Sequence, residues 1–166
     1  MSYWLMKSEP NVFGIDHLAA RPNHTEPWDG VRNYQARNMM RNEMRPGDQV
    51  FFYHSNCTER GIVGLMEIAS MAYPDPTAFD PRSQYFDPRS DRERPRWFLV
   101  DVRYVRHLAR TITLAELKAY ADGPLAGWPL LRRGNRLSIL PVTPRQWDFV
   151  LSLEGREAET QAVAVE

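Results

Sequence analysis

Apolar residues occur along this chain in short runs that are bounded by Pro, Gly and polar residues, and the runs predict five β-strands. Several of them are rich in the β-branched and aromatic residues that favour strands. The predicted strands are residues 3–7, 49–54, 62–73, 97–107 and 137–140. The polar loop 55–61 joins the second strand to the third, which indicates a β-hairpin.

Helical spacing and capping residues predict four helices between and after these strands. They cover residues 12–20, 34–44, 114–121 and 144–155. Asn33, Thr113 and Thr143 precede three of them as N-caps, and Gln146 completes a capping box with Thr143. Residues 74–96 contain a short duplication, Phe-Asp-Pro-Arg-Ser, which is too small to be a structural repeat.

The strands are separated by unequal loops, and helices lie near both ends without regular strand-helix alternation. This order predicts an α+β fold around a mainly antiparallel, barrel-like sheet, and it argues against a doubly wound parallel sheet. A length of 166 residues suits one domain. We expect that domain to cover residues 1–155, followed by a frayed tail over residues 156–166.

Composition predicts a soluble, cytoplasmic protein without a metal or cofactor. No apolar run approaches the roughly 20 residues that cross a bilayer, and the first residues lack the pattern of a signal peptide. Cys57 is the single cysteine, and Cys57 with His54 falls short of a zinc ligand set. No glycine-rich phosphate loop or dinucleotide fingerprint occurs.

The charge balance restricts how this chain can bind nucleic acid. Its 21 Lys and Arg residues equal its 21 Asp and Glu residues, so the basic excess of a non-specific binder is missing. Any such binding must be local. All basic residues except Lys7 and Lys118 are arginine, which suits phosphates and base edges, although a GC-rich genome produces the same bias.

Residues 28–33 combine an aromatic ring, a glycine and hydrogen-bonding side chains in a predicted loop. Trp28 offers a stacking face, and Asp29, Arg32 and Asn33 can read the edge of a flat polar ring such as a nucleobase. Two other loops carry polar residues at strand ends, as expected of a pocket at one rim of a sheet. These residues are Lys7, Ser8, Glu9, His54, Ser55 and Asn56.

Strand alternation places Phe52 and His54 on one face and Phe51 and Tyr53 on the other. We expect one pair to be buried and the other to be free to line a cavity, and the sequence does not choose between them. His54 is expected to make a structural hydrogen bond, since the adjacent Ser55 points the other way and cannot share its proton. The residues assigned to the core are Trp4, Trp97 and Trp147.

Four further residues have structural interpretations. Asp80 and Asp87 each precede a proline, which is ordinary turn chemistry rather than a metal or acid pair. Gly61 and Gly64 flank two apolar residues in a predicted strand, which indicates a bulge or a close backbone approach, or else backbone groups free to bond a base.

Five segments in chain order resemble the EVE domain family, from residue 3 to about residue 153. They are residues 3–10, 28–38, 47–57, 61–64 and 137–143. The resemblance implies a PUA-like fold, a small mixed or antiparallel β-barrel with peripheral helices, related in shape to the YTH readers of methylated adenine in RNA. It also implies a pocket for a modified base, with modified cytosine in DNA as the usual proposal.

Carried over position by position, the resemblance implies a base pocket formed by Lys7, Ser8, Trp28, Val31, Arg32, Asn33, Tyr53, His54 and Ser55. The leading hypothesis is a non-catalytic module that binds DNA, or RNA, carrying a modified base. The base stacks on Trp28, and polar groups read its edge. The residues assigned to phosphates are Arg32, Arg37 and Arg41.

The alternative is a small amidohydrolase that acts on modified nucleosides, since a neighbouring branch of PUA-like domains includes amidohydrolases. Lys7 with Glu9 or Glu67 would then serve as nucleophile or as acid and base. No recognisable spacing sets a base beside a nucleophile, so catalysis has less support. A pure interaction module is a third hypothesis, and it requires exposed apolar surface that a sequence does not reveal.

Overall fold

The computed structural model describes residues 1–156, and within them it contains eight strands and five α-helices. The strands are β1 (Tyr3–Ser8), β2 (Thr25–Pro27), β3 (Gln49–His54), β4 (Gly61–Ile68), β5 (Tyr73–Pro74), β6 (Phe98–Leu99), β7 (Asp101–Thr113) and β8 (Ile139–Val142). The helices are α1 (Pro10–Phe13), α2 (Ile15–Ala20), α3 (Tyr34–Asn38), α4 (Leu114–Lys118) and α5 (Pro144–Leu153). Apart from Arg156, the predicted tail lies outside the described residues.

Six strands form one curled sheet in the order β2-β7-β4-β3-β1-β8, and β5 pairs only with β6. β1 runs parallel to β3, from Tyr3 opposite Gln49 to Ser8 opposite His54, and the other pairs in the sheet are antiparallel. The predicted α+β class with a mainly antiparallel sheet is therefore confirmed. The parallel pair brings the carboxyl ends of β1 and β3 to the same edge of the sheet.

Both faces of β3 are buried. Phe52 packs with α2 and α3 on one face, while Phe51 and Tyr53 pack with α5 on the other, where the ring of Trp147 stacks 4.0 Å from that of Phe51. The expectation that one face of β3 stays free is therefore wrong, because helices cover both faces. The core assignment of the three tryptophans Trp4, Trp97 and Trp147 is confirmed.

The predicted caps are present. The side chains of Asn33, Thr113 and Thr143 each accept a hydrogen bond from a backbone N–H at the start of α3, α4 and α5. α3 continues as a π-helical turn over Met39–Glu43, so the predicted helix has nearly the expected extent with a wider last turn. The helix predicted over residues 12–20 is interrupted at Gly14, which separates α1 from α2.

Gly61 and Gly64 are places of close backbone approach within β4. A Cβ atom on Gly61 would overlap the carbonyl oxygen of Ile112, and one on Gly64 would overlap Ile15. The register of β4 shifts against β7 between Ile62 and Gly64. The structural interpretation of these glycines is thus confirmed.

Membrane insertion finds no support in the helices: none of those in residues 1–156 is long and apolar enough to span a bilayer.

Candidate functional site

A cavity of about 760 Å³ opens at the edge of the sheet where the carboxyl ends of β1 and β3 meet. The parallel pairing of these strands delivers Lys7 and Ser8 from one and, just beyond the other, Ser55. Three further segments close the cavity: α1, residues 26–32 and residues 84–85, with Ser138 next to β1. Its volume lies within the range of small-ligand pockets.

Six of the nine predicted pocket residues line this cavity. They are Lys7, Ser8, Trp28, Val31, Arg32 and Ser55. The sequence therefore predicted, from three separate segments, residues that are neighbours in space.

The other three predicted residues lie outside the cavity lining. Asn33 accepts a hydrogen bond from the backbone N–H of Ala36 as the cap of α3. Tyr53 is buried in the core on the face that α5 covers, with Lys7 Nζ 5.6 Å from its ring centroid. His54 Nε2 accepts a hydrogen bond from the backbone N–H of Ile15 at 3.1 Å, which confirms the structural interpretation of this histidine.

Trp28 is held by packing against two other aromatic rings. Its backbone N–H donates to the carbonyl of Val100, and its ring makes edge contacts with Phe13 at 6.3 Å and Phe52 at 5.5 Å between centroids. Only 7% of the residue is exposed, and the residue borders the cavity. The indole is therefore fixed in orientation before any ligand arrives.

The guanidinium of Arg32 is saturated by hydrogen bonds inside the protein. Nε and Nη2 donate to the carbonyl of Tyr85, at 3.1 and 2.7 Å, and Nη2 also donates to Thr77 Oγ1. Nη1 donates to the carbonyl of Val31 and to Asp75 Oδ2. These bonds use every N–H of the side chain, so none is left for a phosphate.

Tyr85 and Asp75 are parts of the site that the sequence did not reveal. Asp75 is fully buried, and its Oδ2 also accepts the backbone N–H of Gly30 at 2.9 Å. Tyr85 lines the cavity from the duplicated segment. An aromatic residue between two Asp-Pro turns was the only available signal, and it does not indicate a contact with residues 28–32.

The Asp-Pro motifs of that segment act as turns, as predicted. Asp80 Oδ1 accepts the backbone N–H of Arg82, and Asp87 Oδ1 accepts that of Arg89. Asp87 Oδ2 also accepts the indole N–H of Trp97 at 2.7 Å. In residues 1–156 no cluster of three or more His, Cys, Asp or Glu side chains could hold a metal ion.

Lys7 and Asp29 both line the cavity, and both have shifted pKa values. Burial lowers the pKa of the Lys7 amine. Loss of solvation raises the pKa of the Asp29 carboxyl, and the charges of Asp75 and Glu26 raise it further, while the charge of Arg32 opposes the rise. Both shifts oppose the ionisation of the group concerned.

The acid-base pairs of the hydrolase hypothesis are only partly assembled. Lys7 and Glu9 both line the cavity, but Glu9 accepts a hydrogen bond from Asn56 and not from Lys7. Glu67 lies opposite Gln49, at the other end of β3, and forms an ion pair with Arg103 at 2.7 Å. A pairing of Lys7 with Glu67 is therefore wrong.

Arg37 and Arg41 lie outside the cavity, on α3 and the π-helical turn. Arg37 donates to the carbonyl of Arg96, and both arginines donate to Asn38 Oδ1. Within residues 1–156 neither forms an ion pair with a carboxylate, and the same holds for Arg136 at the mouth of the cavity. Loss of solvation and the neighbouring Arg41 lower the pKa of Arg37.

Comparison with known proteins shows a close and extended similarity. The EVE domain family model matches residues 2–153. Human thymocyte nuclear protein 1 is 50% identical over 171 residues, which cover 94% of this chain and 75% of the human protein.

Solved structures show the same similarity in three dimensions. Human THYN1 protein in complex with 5-methylcytosine containing DNA superposes with a TM-score of 0.89 at 50% identity, over 95% of this chain and 99% of that one. A protein from Pseudomonas putida superposes with a TM-score of 0.87 at 47% identity, over 92% of this chain and 99% of its own.

Proposed function

Because this chain belongs to the EVE domain family, we propose that it binds DNA that carries a modified cytosine and holds that base in the cavity beside β1. The observation that carries the proposal is the cavity itself, which combines a fixed indole with polar groups from several segments. The human relative, solved with 5-methylcytosine containing DNA, supports modified cytosine in DNA as the ligand.

The cavity groups complement the edges of a cytosine. Its exocyclic amine donates hydrogen bonds, which a carboxylate such as that of Asp29 accepts, and its O2 and N3 accept bonds from the hydroxyls of Ser8 and Ser55. A methyl group on C5 is apolar and suits contact with Val31 or Phe13.

A base reaches such a cavity only when it leaves the duplex, which costs a few kcal/mol of stacking and pairing energy. Contacts to the backbone must then hold the flanking strand at the mouth. Arg136 lies at the mouth without a carboxylate partner among residues 1–156, and Arg37 and Arg41 offer further cationic groups on α3 and the turn after it.

Titration of two duplexes that differ only in one cytosine, methylated at C5 or not, tests this function. We expect tighter binding of the methylated duplex, and we expect Trp28→Ala to lose most of that preference, since stacking on an aromatic side chain contributes about 1 to 3 kcal/mol per base. Trp147→Ala is the matched control, because Trp147 is as deeply buried but packs in the other core cluster.

The control should lower the thermal unfolding temperature and keep the preference for methylated DNA. Equal binding of both duplexes by the wild-type protein would refute the proposal. An unchanged preference in Trp28→Ala would show that the base does not enter this cavity.

A further inference from the structure

The segment between β5 and β6 is anchored to the cavity through Arg32. Asp75 at its start is fully buried and forms an ion pair with Arg32 at 3.1 Å, and Thr77 Oγ1 accepts a hydrogen bond from the same guanidinium. The carbonyl of Tyr85 accepts two more. One side chain thus fixes the segment at three points, and a bidentate arginine fork holds geometry more rigidly than a lysine amine does.

The ring of Tyr85 is placed against the backbone of Gly30. A Cβ atom on Gly30 would lie 2.6 Å from the ring, too close for any other residue, and Gly30 also has a φ of +82°. The guanidinium of Arg32 lies 5.7 Å from the centroid of the same ring. Tyr85 is therefore held against two residues of the loop that also carries Trp28.

Tyr85 keeps groups available to a ligand. The residue is half-buried and lines the cavity, and within residues 1–156 its hydroxyl has no hydrogen-bond partner and its ring does not contact Trp28. Loss of solvation raises the pKa of the hydroxyl, so it remains a donor at neutral pH. Trp28 and Tyr85 thus contribute two aromatic rings to the lining of one cavity, and such rings can stack with a flat ligand.

We infer that Tyr85 is the second aromatic wall of the base cavity, facing the ligand together with Trp28, and that Arg32 is the positioning residue that holds Tyr85 there. This inference rests on the proposed binding of a modified base. Arg32 then supplies no phosphate contact, since its donors are used inside the protein. Arg32 raises the affinity for the base indirectly, because it holds Tyr85 in place before the base binds.

Binding of the methylated and unmethylated duplexes to Tyr85 variants tests the wall. We expect Tyr85→Ala to bind the methylated duplex about 5- to 150-fold more weakly, as loss of one stacking contact implies, and Tyr85→Phe to keep most of the affinity. Phe86→Ala is the matched control, because Phe86 is adjacent, exposed and outside the cavity lining, and it should bind like the wild type.

Tyr85→Leu keeps apolar volume without an aromatic face, and it replaces Tyr85→Ala in the test if the latter unfolds. If the wild-type protein does not distinguish the two duplexes, the proposed function and this inference both fail. If it does distinguish them but Tyr85→Ala and Tyr85→Leu bind like the wild type, only the inference about Tyr85 is overturned.

A double-mutant cycle tests the positioning role of Arg32. Arg32→Lys keeps the charge but loses the planar fork, so we expect weaker binding with an unchanged dependence on salt concentration. In the double variant with Tyr85→Ala, the loss should equal that of Tyr85→Ala alone, because Arg32 acts through Tyr85. Additive losses in the double variant would overturn this role.

Discussion

The imidazole of His54 is a hydrogen-bond acceptor at Nε2, so the proton of the neutral ring is on Nδ1. Its donor, the backbone N–H of Ile15, belongs to the first turn of α2, and His17 Nδ1 accepts the neighbouring N–H of Gly14 at 2.7 Å. Protonation of His54 would remove this acceptor. Burial lowers the pKa of His54; the charge of Asp16 opposes this shift, and His107 and His17 add to it.

We therefore expect the protein to lose stability as the pH falls below the ordinary histidine pKa of 6.5. The unfolded chain binds a proton there that folded His54 does not, so the loss grows until the pH reaches the lowered pKa of the folded state. His54→Gln keeps a hydrogen-bond acceptor that does not titrate. In urea denaturation, the free energy of unfolding of this variant should therefore differ less between pH 7 and pH 5 than that of the wild type.

His24→Gln is the control for this measurement, because His24 is an exposed histidine outside this contact. It should retain the wild-type pH dependence. The same slope in His54→Gln and in the wild type would show that His54 does not carry the effect.

At the scale of elements, a buried ion pair joins the end of the sheet to two helices. Arg110 of β7 donates from both Nη atoms to Glu116 of α4, at 2.6 and 2.8 Å, and to the carbonyl of Leu153 in α5. The Glu116 side chain is fully buried. The negative charge of the Glu116 carboxylate thus balances the positive charge of Arg110 in this contact.

Glu116→Ala should lower the free energy of unfolding by about 3 kcal/mol, because it leaves the Arg110 guanidinium without its buried partner. The matched control is Glu67→Ala, which breaks the more exposed pair with Arg103 and should cost less than about 1 kcal/mol. Urea denaturation measures both. Equal losses would indicate that the burial of the Glu116 pair has no energetic consequence.

The elements that the sequence predicted are those with local signals. Caps such as Thr143 and apolar runs such as β3 depend on neighbours in the chain. β2 was missed because its three residues lack a strand pattern. They are a strand only because they pair with β7. The contact of Tyr85 with Gly30 was missed for the same reason, since it joins segments that no local pattern relates.

The faces of β3 illustrate a second limit. Alternation sorts Phe51 and Tyr53 from Phe52 and His54 correctly, but it does not show what covers each face. The sequence therefore predicted one free face without choosing it, and helices cover both. Tyr53 and His54 were assigned to a pocket by family resemblance, and both lie outside the cavity lining.

At the scale of the whole molecule, the formal net charge is zero, so attraction to DNA depends on where charges lie. Six arginines are paired with acidic side chains in residues 1–156, and these pairs reduce their attraction for phosphates. Arg136 is exposed and lines the cavity, and among the described residues it forms no ion pair.

We expect Arg136→Gln to reduce the slope of log K against log salt concentration by about one, as loss of one phosphate contact requires. The comparison is Arg145→Gln, an exposed arginine on α5, which should leave the slope unchanged. Binding isotherms of the methylated duplex at several salt concentrations give the slope. An unchanged slope in Arg136→Gln would show that Arg136 does not contact a phosphate of the DNA.

The position of β1 between β3 and β8 has a consequence for how the protein is made. β1 leaves the ribosome before β8, although the two strands are neighbours in the sheet and Met6 pairs with Ile139. During synthesis one edge of β1 stays unpaired until β8 has been made. Because β8 lies far along the chain, this pairing favours slow closure of the sheet. Since Lys7 also donates its backbone N–H to the carbonyl of Ser138, just before β8, the rim of the cavity stays incomplete in a nascent chain until β8 docks.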